Sequence, residues 1–384
     1  MGVSADYPPF AVARGEDVVG FDVEVARRFA RDTGRGIVLV RFRWPDLERD
    51  LAAGRFDVAM SGVTMRADRV LAGTFTRPVV ETDAVAVTRY GVAARVRDLD
   101  RVGGRIGVNR GGHLERVARR AFPHAEILTT DDNERLGEML ATGAVEAIVL
   151  DALEADAQGF GHRLGPLSHD RKAYLGGDPA LVGALDAWLA EREADGTLAG
   201  LREDWLGDAY AARRTRFDSD LSALAALLDL RLGLMPSVAA AKEAAGLPVE
   251  DRAQEARVVA AARARAAGAG LDADSTEALF RAAIAAARAV ESAWLATPRD
   301  RRPPVAALDL ARDARPALAR LTNAIVARAA DVAREPAALA AADAGRIAAA
   351  VDEPLCPASA RRALADAIRG LRPASAAQQQ PLVQ

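Results

Sequence analysis

The feature that most constrains this chain is a change of texture near residue 210. Before it, short aliphatic runs alternate with segments whose apolar residues recur three and four apart. Gly36–Val40, Phe56–Met60, Ala84–Val87, Arg105–Val108, Glu126–Leu128 and Ala147–Leu150 read as strands. Asp22–Arg31, Trp44–Ala53, Leu114–Ala121 and Asn133–Ala141 read as helices. Strands alternating with helices predict parallel sheets in an α/β domain. Beyond residue 218 the strand signals stop and alanine, the strongest helix former, dominates. Helical periodicity runs through Leu221–Leu230, Ala253–Ala267, Ser275–Leu295, Leu310–Ala330 and Arg361–Leu371. Breakers separate these segments at Gly246-Leu247-Pro248, Gly268–Gly270, Pro298–Pro304 and Pro354–Pro357, so the second half reads as an all-α bundle. The expected organisation is an α/β domain over 1–206, a linker over 207–217, a helical domain over 218–372 and a disordered tail over 373–384.

Composition removes several classes of function. Lys+Arg total 51 against 54 Asp+Glu, a net charge of −3, without the basic excess of a nucleic-acid binder. No uninterrupted apolar run approaches the roughly 20 residues that cross a bilayer, so no membrane partner is expected. The single cysteine, Cys356, excludes an intrachain disulfide, and four histidines confined to the first half make a metal cluster an unsuitable expectation. Met1–Asp6 leads into Tyr7-Pro8-Pro9-Phe10 with no basic region followed by an apolar core. Two locations therefore stay open: the cytoplasm, or the periplasm with an export signal missing from this chain.

Short motifs in the first half occur in a fixed order. Tyr7-Pro8-Pro9-Phe10 precedes Gly20-Phe21-Asp22-Val23-Glu24, then Arg55–Gly62, Thr64 with Arg69, Asn109-Arg110-Gly111-Gly112 and Asp151–Ala155. Arg69 offers a planar fork for a carboxylate, with Ser61 and Thr64 as hydroxyl donors nearby in sequence. Gly111-Gly112 before a helix lets backbone N–H groups approach an anion. The ordered set resembles the two-lobed periplasmic solute-binding fold of the amino-acid-binding group. That resemblance implies one lobe over about 1–88 and 178–206 and another over about 89–177, with ligand between them.

Arg43–Leu47, Met60-Ser61-Gly62, Asn109 with Gly111-Gly112, Asp151–Ala155 and Lys172–Leu175 together resemble cyclohexadienyl dehydratases, which aromatise prephenate or arogenate. The resemblance implies that Glu154 is the catalytic acid and that Asp151 lies where amino-acid binders hold the substrate amine. Such an acid needs a raised pKa inside a closing cleft. Tyr7, Trp44, Asn109, Gly112 and Lys172 complete the expected site, Trp44 as a flat apolar face and Lys172 as charge for the departing carboxylate. His113 stands where the resembling proteins carry a threonine, and an imidazole there donates to the ligand or adds charge. His124, His162 and His169 are expected at the surface.

The helical half resembles the secreted, all-helical class of chorismate mutase over about 218–372. The pattern is Arg231, Lys242, Leu247–Asp251, Glu291 and Arg315. Arg231 and Lys242 stand about three turns apart, with Pro236 kinking or restarting the helix between them. The resemblance implies that Arg231 and Arg315 bind the two carboxylates of chorismate. Lys242 and a protonated Glu291 would donate to the breaking ether oxygen, and Asp251 and Glu255 would lie near the substrate hydroxyl. This chemistry is positioning plus electrostatics and needs no cofactor or metal. Two positions depart from the pattern: Gln254 where an arginine is expected and Ala287 where a hydroxyl is common. A neutral hydrogen bond is about half as strong as a charge-assisted one. The site is therefore expected to be active with a raised KM, which Gln254→Arg lowers. Arg252 is expected to face away.

Together the two halves predict a bifunctional enzyme that converts chorismate to prephenate and then to phenylpyruvate, or arogenate to phenylalanine. It is expected to be a homo-oligomer with its mutase domains paired as dimers, and, because both resembled families are typically exported, periplasmic rather than cytoplasmic. The alternative is a carboxylate- or amino-acid-binding protein fused to a helical oligomerisation module.

Overall fold

A computed structural model describes residues 1–207, 210 and 216–375, without the side chains of 216 and 217. Most of the expected linker and residues 376–384 of the expected tail lie outside the described residues. The contact pattern divides the chain into two compact units, Met1–Met65 with Phe75–Arg214, and Arg66–Thr74 with Thr215–Gln384.

The first unit has two lobes, each built on a sheet. In lobe one Gly2–Val3 pairs in parallel with Val40–Arg41 and with Val58–Ala59, and Leu175–Gly176 runs antiparallel to Val58–Ala59. In lobe two the strand order is Glu126–Thr130, Arg105–Asn109, Ala147–Asp151, Ala84–Thr88 and Arg163–Leu164. The first three strands are parallel to one another, Ala84–Thr88 is antiparallel to Ala147–Asp151, and Arg163–Leu164 is antiparallel in turn to Ala84–Thr88. Both sheets are thus mixed, where strand–helix alternation predicted parallel ones. The chain enters lobe two once, and its first strand there, Ala84–Thr88, runs against the others; on its return to lobe one it lays down the antiparallel strand Leu175–Gly176.

Two strands link the lobes, Val80–Thr82 and Asp170–Lys172, paired antiparallel to each other. This moves the crossings from the expected residues 88 and 178. Ala84–Thr88 belongs to the second sheet and Leu175–Gly176 to the first. The expected strand Gly36–Val40 survives only as Val40–Arg41, and Ile37 and Val38 are exposed.

Helix Phe21–Asp32 buries Phe21, Val25 and Phe29 on one face of lobe one, where Trp188 meets Phe29 edge-on at 5.7 Å. The helices Pro179–Ala194 and Thr197–Leu206 cover the same core. The second sheet is buried on both faces, against Val117 and Phe122 on one side and Leu136 and Leu140 on the other.

The second unit is helical, as the alanine-rich half requires. Helix Ala273–Ala296 packs against Arg252–Ala269, Met235–Ala244 and Ala358–Arg369. Arg315–Ala333 packs against Arg216–Gly233 and Arg252–Ala269. Aspartates 251, 272, 309 and 343 cap helices by accepting backbone N–H groups one turn on. Helix Arg216–Gly233 ends at Leu234, and Met235–Ala244 restarts with Pro236 in its first turn, where a missing N–H costs nothing. By length and composition the stretch Asp218–Ala244 is apolar enough to cross a membrane, contrary to expectation; 78% of its apolar window is buried in the bundle core.

Candidate functional sites

In the first unit the lobes meet around Lys172, which leads back from the linking strands into lobe one. Its Nζ lies 3.0 Å from Asp151 Oδ2 and donates to Thr64 Oγ1 at 2.8 Å and to Tyr7 Oη at 3.1 Å. Asp151 ends a fully buried strand and caps the helix Ala152–Ala157, accepting from Leu153 N at 2.9 Å and Thr82 Oγ1 at 2.8 Å. One turn into that helix, Glu154 is 1% exposed, and Gln158 Nε2 donates to its Oε1 at 3.1 Å. Burial, then the carboxylates of Asp151 and Asp6, hold the Glu154 carboxyl well above its ordinary range, against the pull of Lys172. Burial, then the carboxylates of Asp151, Glu154 and Asp170, push the Tyr7 phenol up as well.

Two glycines shape this cleft. Gly62 has φ 65°, and a Cβ there would lie 2.7 Å from ring atoms of Tyr7 and Phe10. Gly111 has φ 73°, and a Cβ there would lie 2.8 Å from Pro45 Cγ in the opposite lobe. Together with Asn133 Nδ2, which donates to Asp6 O across the cleft at 3.3 Å, this is a closed form.

Several expected site residues are engaged differently. Ser61 is fully buried, but its Oγ bonds Ser4 Oγ at 2.9 Å and accepts from Ser4 N. Asn109 donates to Asn133 Oδ1. Gly112 caps the helix His113–Ala121, and the preceding Gly111 N–H is taken by Glu115 Oε2 at 2.6 Å. His113 Nε2 lies 2.7 Å from Asp170 Oδ1. Burial works to raise Asp170, and the adjacent His113 charge overrides it, holding that carboxyl below its ordinary value. Trp44 is half-buried and packs edge-on against Tyr7 at 5.6 Å and Phe42 at 5.3 Å. His124 and His169 are exposed as expected, whereas His162 is half-buried beside the Tyr90 ring. Arg69 is buried in the turn Ala67–Leu71, within the segment that groups with the helical unit.

Asp6, Asp22 and Asp170 were not expected in this network. Asp22 lies in the Gly20–Glu24 motif, which marked its neighbourhood but not its role. It accepts from Gly62 N and, at 2.9 Å, from Tyr174 Oη, and burial raises its pKa to about 7. A folded-state pKa above the unfolded value means stability is fullest in acid and is lost as pH rises toward 7. The melting midpoint of the first unit should therefore fall between pH 5 and pH 8. In Asp22→Asn, scanning calorimetry should find that fall flattened; an undiminished one would exclude Asp22 as its source.

The helical unit encloses a cavity of about 690 Å³, within the range of small-molecule sites. All seven expected residues line it: Arg231, Lys242, Asp251, Gln254, Glu255, Glu291 and Arg315. Lys242 Nζ donates to Glu291 Oε2 at 2.8 Å and Val249 O at 2.7 Å. Burial raises the Glu291 carboxyl, Lys242 opposes this, and Glu255 adds to it. Arg231 is buried with Nε and Nη1 lacking hydrogen-bond partners, and desolvation lowers its pKa to about 10 against the pull of Glu291. A desolvated guanidinium facing a cavity calls for an anion. Arg252 touches the rim, but its side chain is 86% exposed and pairs with Glu250, consistent with the expected outward direction. Ala287 lines the wall without a donor, as read. Arg257 also lines it, and sequence reasoning missed it, since one arginine among many carries no positional signal.

A two-lobed α/β unit closed on a buried acid, joined to a helical unit with its own cationic cavity, defines a ligand-enclosing binding fold carrying a helical enzyme domain. The chain belongs to the bacterial extracellular solute-binding proteins, family 3, which it matches over residues 1–208. Residues 219–292 match chorismate mutase type II. The chain is 33% identical to the cyclohexadienyl dehydratase of Pseudomonas aeruginosa, over 54% of this chain and 81% of that protein. It is 27% identical to the L-cystine-binding protein TcyJ of Escherichia coli, over 54% of this chain and 82% of that one. Among solved structures it is similar to an ancestral amino-acid-binding protein that is a precursor of cyclohexadienyl dehydratase. That match has a TM-score of 0.51 and 26% identity, covering 53% of this chain and 93% of the other.

Proposed function

We propose that this chain is a bifunctional enzyme of phenylalanine biosynthesis, with the helical unit converting chorismate to prephenate and the first unit converting prephenate to phenylpyruvate. The observation that carries the dehydratase reading is Glu154, a carboxyl that burial in a closed cleft holds well above its ordinary range. A protein that only binds its ligand needs no such group. In the reaction, the ring carboxylate leaves as carbon dioxide and its bonding electrons enter the ring. The ring hydroxyl departs on the far side, taking the Glu154 proton and leaving as water. Asp151, Lys172, Tyr7 and Thr64 form the fixed polar wall against which substrate is oriented. Arogenate, with an amine for the keto group, is the other candidate substrate, and Asp151 is its natural partner.

In the mutase reading, Arg231 and Arg315 take the two carboxylates of chorismate. Lys242 and Glu291, linked at 2.8 Å, stabilise the ether oxygen as its bond to the ring breaks. The rearrangement is unimolecular, so no group need be lost or gained. Family membership supports an extracellular or periplasmic location. Homo-oligomerisation through the helical units remains part of the proposal.

The direct test is to mix the protein with chorismate, and separately with prephenate, and follow phenylpyruvate absorbance in alkali. Turnover of both supports the reading. Tight amino-acid binding without turnover would instead favour a solute-binding protein carrying a helical assembly module, as its binding-protein relatives suggest. Arg69 enters as a carboxylate partner on the resemblance alone. Losing such a partner costs about 2–5 kcal/mol, so Arg69→Ala should raise the KM for prephenate severely and Arg69→Lys should restore only part. An unchanged KM would remove Arg69 from the site.

A further inference from the structure

Gln254 belongs to a stripe on helix Arg252–Ala269 that continues through Val258, Ala261 and Arg265, all lining the cavity. That spacing is one face of a helix. Arg257 lines the same wall, three residues after Gln254, where helical side chains are neighbours. Its Nε and Nη2 both donate to Gln254 Oε1, at 3.0 and 2.8 Å. A guanidinium fork closed on one carbonyl oxygen fixes the orientation of the amide. The oxygen faces Arg257, and the NH2 group, with two donor hydrogens and no acceptor, is turned away from it. The cavity already contains a buried Arg231 whose Nε and Nη1 lack partners.

We propose that Arg257 is a positioning residue of the helical site. It holds Gln254 so that the amide NH2 donates to a carboxylate of a dicarboxylate substrate, and it polarises that amide through the shared oxygen. The inference rests on the mutase reading above and deepens it. The uncharged residue at 254 then acts with a charge one step behind it, and a neutral amide receives part of what a direct cation would supply. The arrangement also has a cost for redesign. A second cation at 254 would stand against Arg257 at helical i,i+3 spacing, where like charges destabilise each other.

The test follows chorismate consumption by the full chain, with prephenate consumption by the first unit as the folding control. Arg257→Ala should raise the chorismate KM about tenfold, the worth of one hydrogen bond to a charged group, and change kcat by no more than about twofold. Gln254→Ala should do the same. The double variant should be no worse than either single one, because the pair acts as a unit. Arg257→Lys should recover part of the loss, since an ammonium can hold the amide oxygen but not with two parallel bonds. Gln254→Arg should lower KM more in the Arg257→Ala background than in the wild type. An unchanged KM in Arg257→Ala, or losses that simply add in the double variant, would overturn this inference and leave the mutase reading standing. A wild-type chain that neither turns over chorismate nor binds it by calorimetry overturns the mutase reading, and this inference falls with it.

Discussion

Replacing Glu154 by glutamine should lower dehydratase turnover by about 10²–10⁴, the usual worth of a general acid, and leave chorismate consumption by the helical unit unchanged. Glutamine keeps the shape of the buried side chain and its contact with Gln158 but has no proton to give. The pH profile carries the same information. In the proposed mechanism Glu154 gives up a proton, and burial with Asp151 and Asp6 raises its pKa. Dehydratase activity should therefore persist through the range where an ordinary glutamate is ionised, and fall only as pH rises through the raised value. Asp6→Asn removes one of the carboxylates responsible, so the falling limb should move to lower pH. Phenylpyruvate formation near the wild-type rate in Glu154→Gln would remove this residue from the chemistry. The mutase activity, measured in the same preparation, distinguishes that outcome from misfolding.

The second large effect is at Arg231, where function and stability should move in opposite directions. Truncating a buried charge that pairs with a substrate carboxylate costs about 2–5 kcal/mol of binding, so Arg231→Ala should reduce kcat/KM for chorismate by one and a half to three and a half orders of magnitude, roughly. Without ligand, however, the same guanidinium is desolvated, two of its nitrogens lack partners, and its pKa is pulled down to about 10. Alanine removes that penalty. The melting temperature of the ligand-free protein should hold or rise, and the stabilisation that chorismate confers on the wild type should disappear. Arg231→Lys retains charge but not the fork, and should lie between the two. A variant that loses melting temperature and keeps its activity would make Arg231 a structural residue of the bundle.

The two kinds of site differ in how much of them could be read in advance. The residues of the helical site were marked by the resemblance to helical chorismate mutases, and periodicity added only that Gln254 and Glu291 lie on helices, before any packing was known. What periodicity could not supply was the partner of Gln254, because an i,i+3 pair is one of several neighbours each helical residue has. The dehydratase cleft is assembled from turns and strand ends far apart in the chain. Tyr7, Thr64, Asp151 and Lys172 form one network only because the linking strands Val80–Thr82 and Asp170–Lys172 bring the lobes together. Ser61 and Asn109 lay in motifs that marked the right neighbourhood, yet their side chains bond Ser4 and Asn133. A motif specifies residue types, and the direction of a short polar side chain is decided by whichever partner lies nearest after folding.

Sequence alone determined the division of the chain into an α/β half and a helical half, because hydrophobic period and alanine content are local properties that each segment carries by itself. It also determined the restart of the helix at Pro236, since a proline without an N–H acts wherever it stands. Only the tertiary structure decided the antiparallel strands in each sheet, the positions of the lobe crossings and the pairing of His113 with Asp170. It likewise decided that the Glu154 carboxyl is buried and raised above its ordinary range rather than solvated. Each of these depends on long-range contacts, and the pKa of a carboxyl is set by the water it has lost and the charges brought beside it, neither of which is written in its neighbours along the chain.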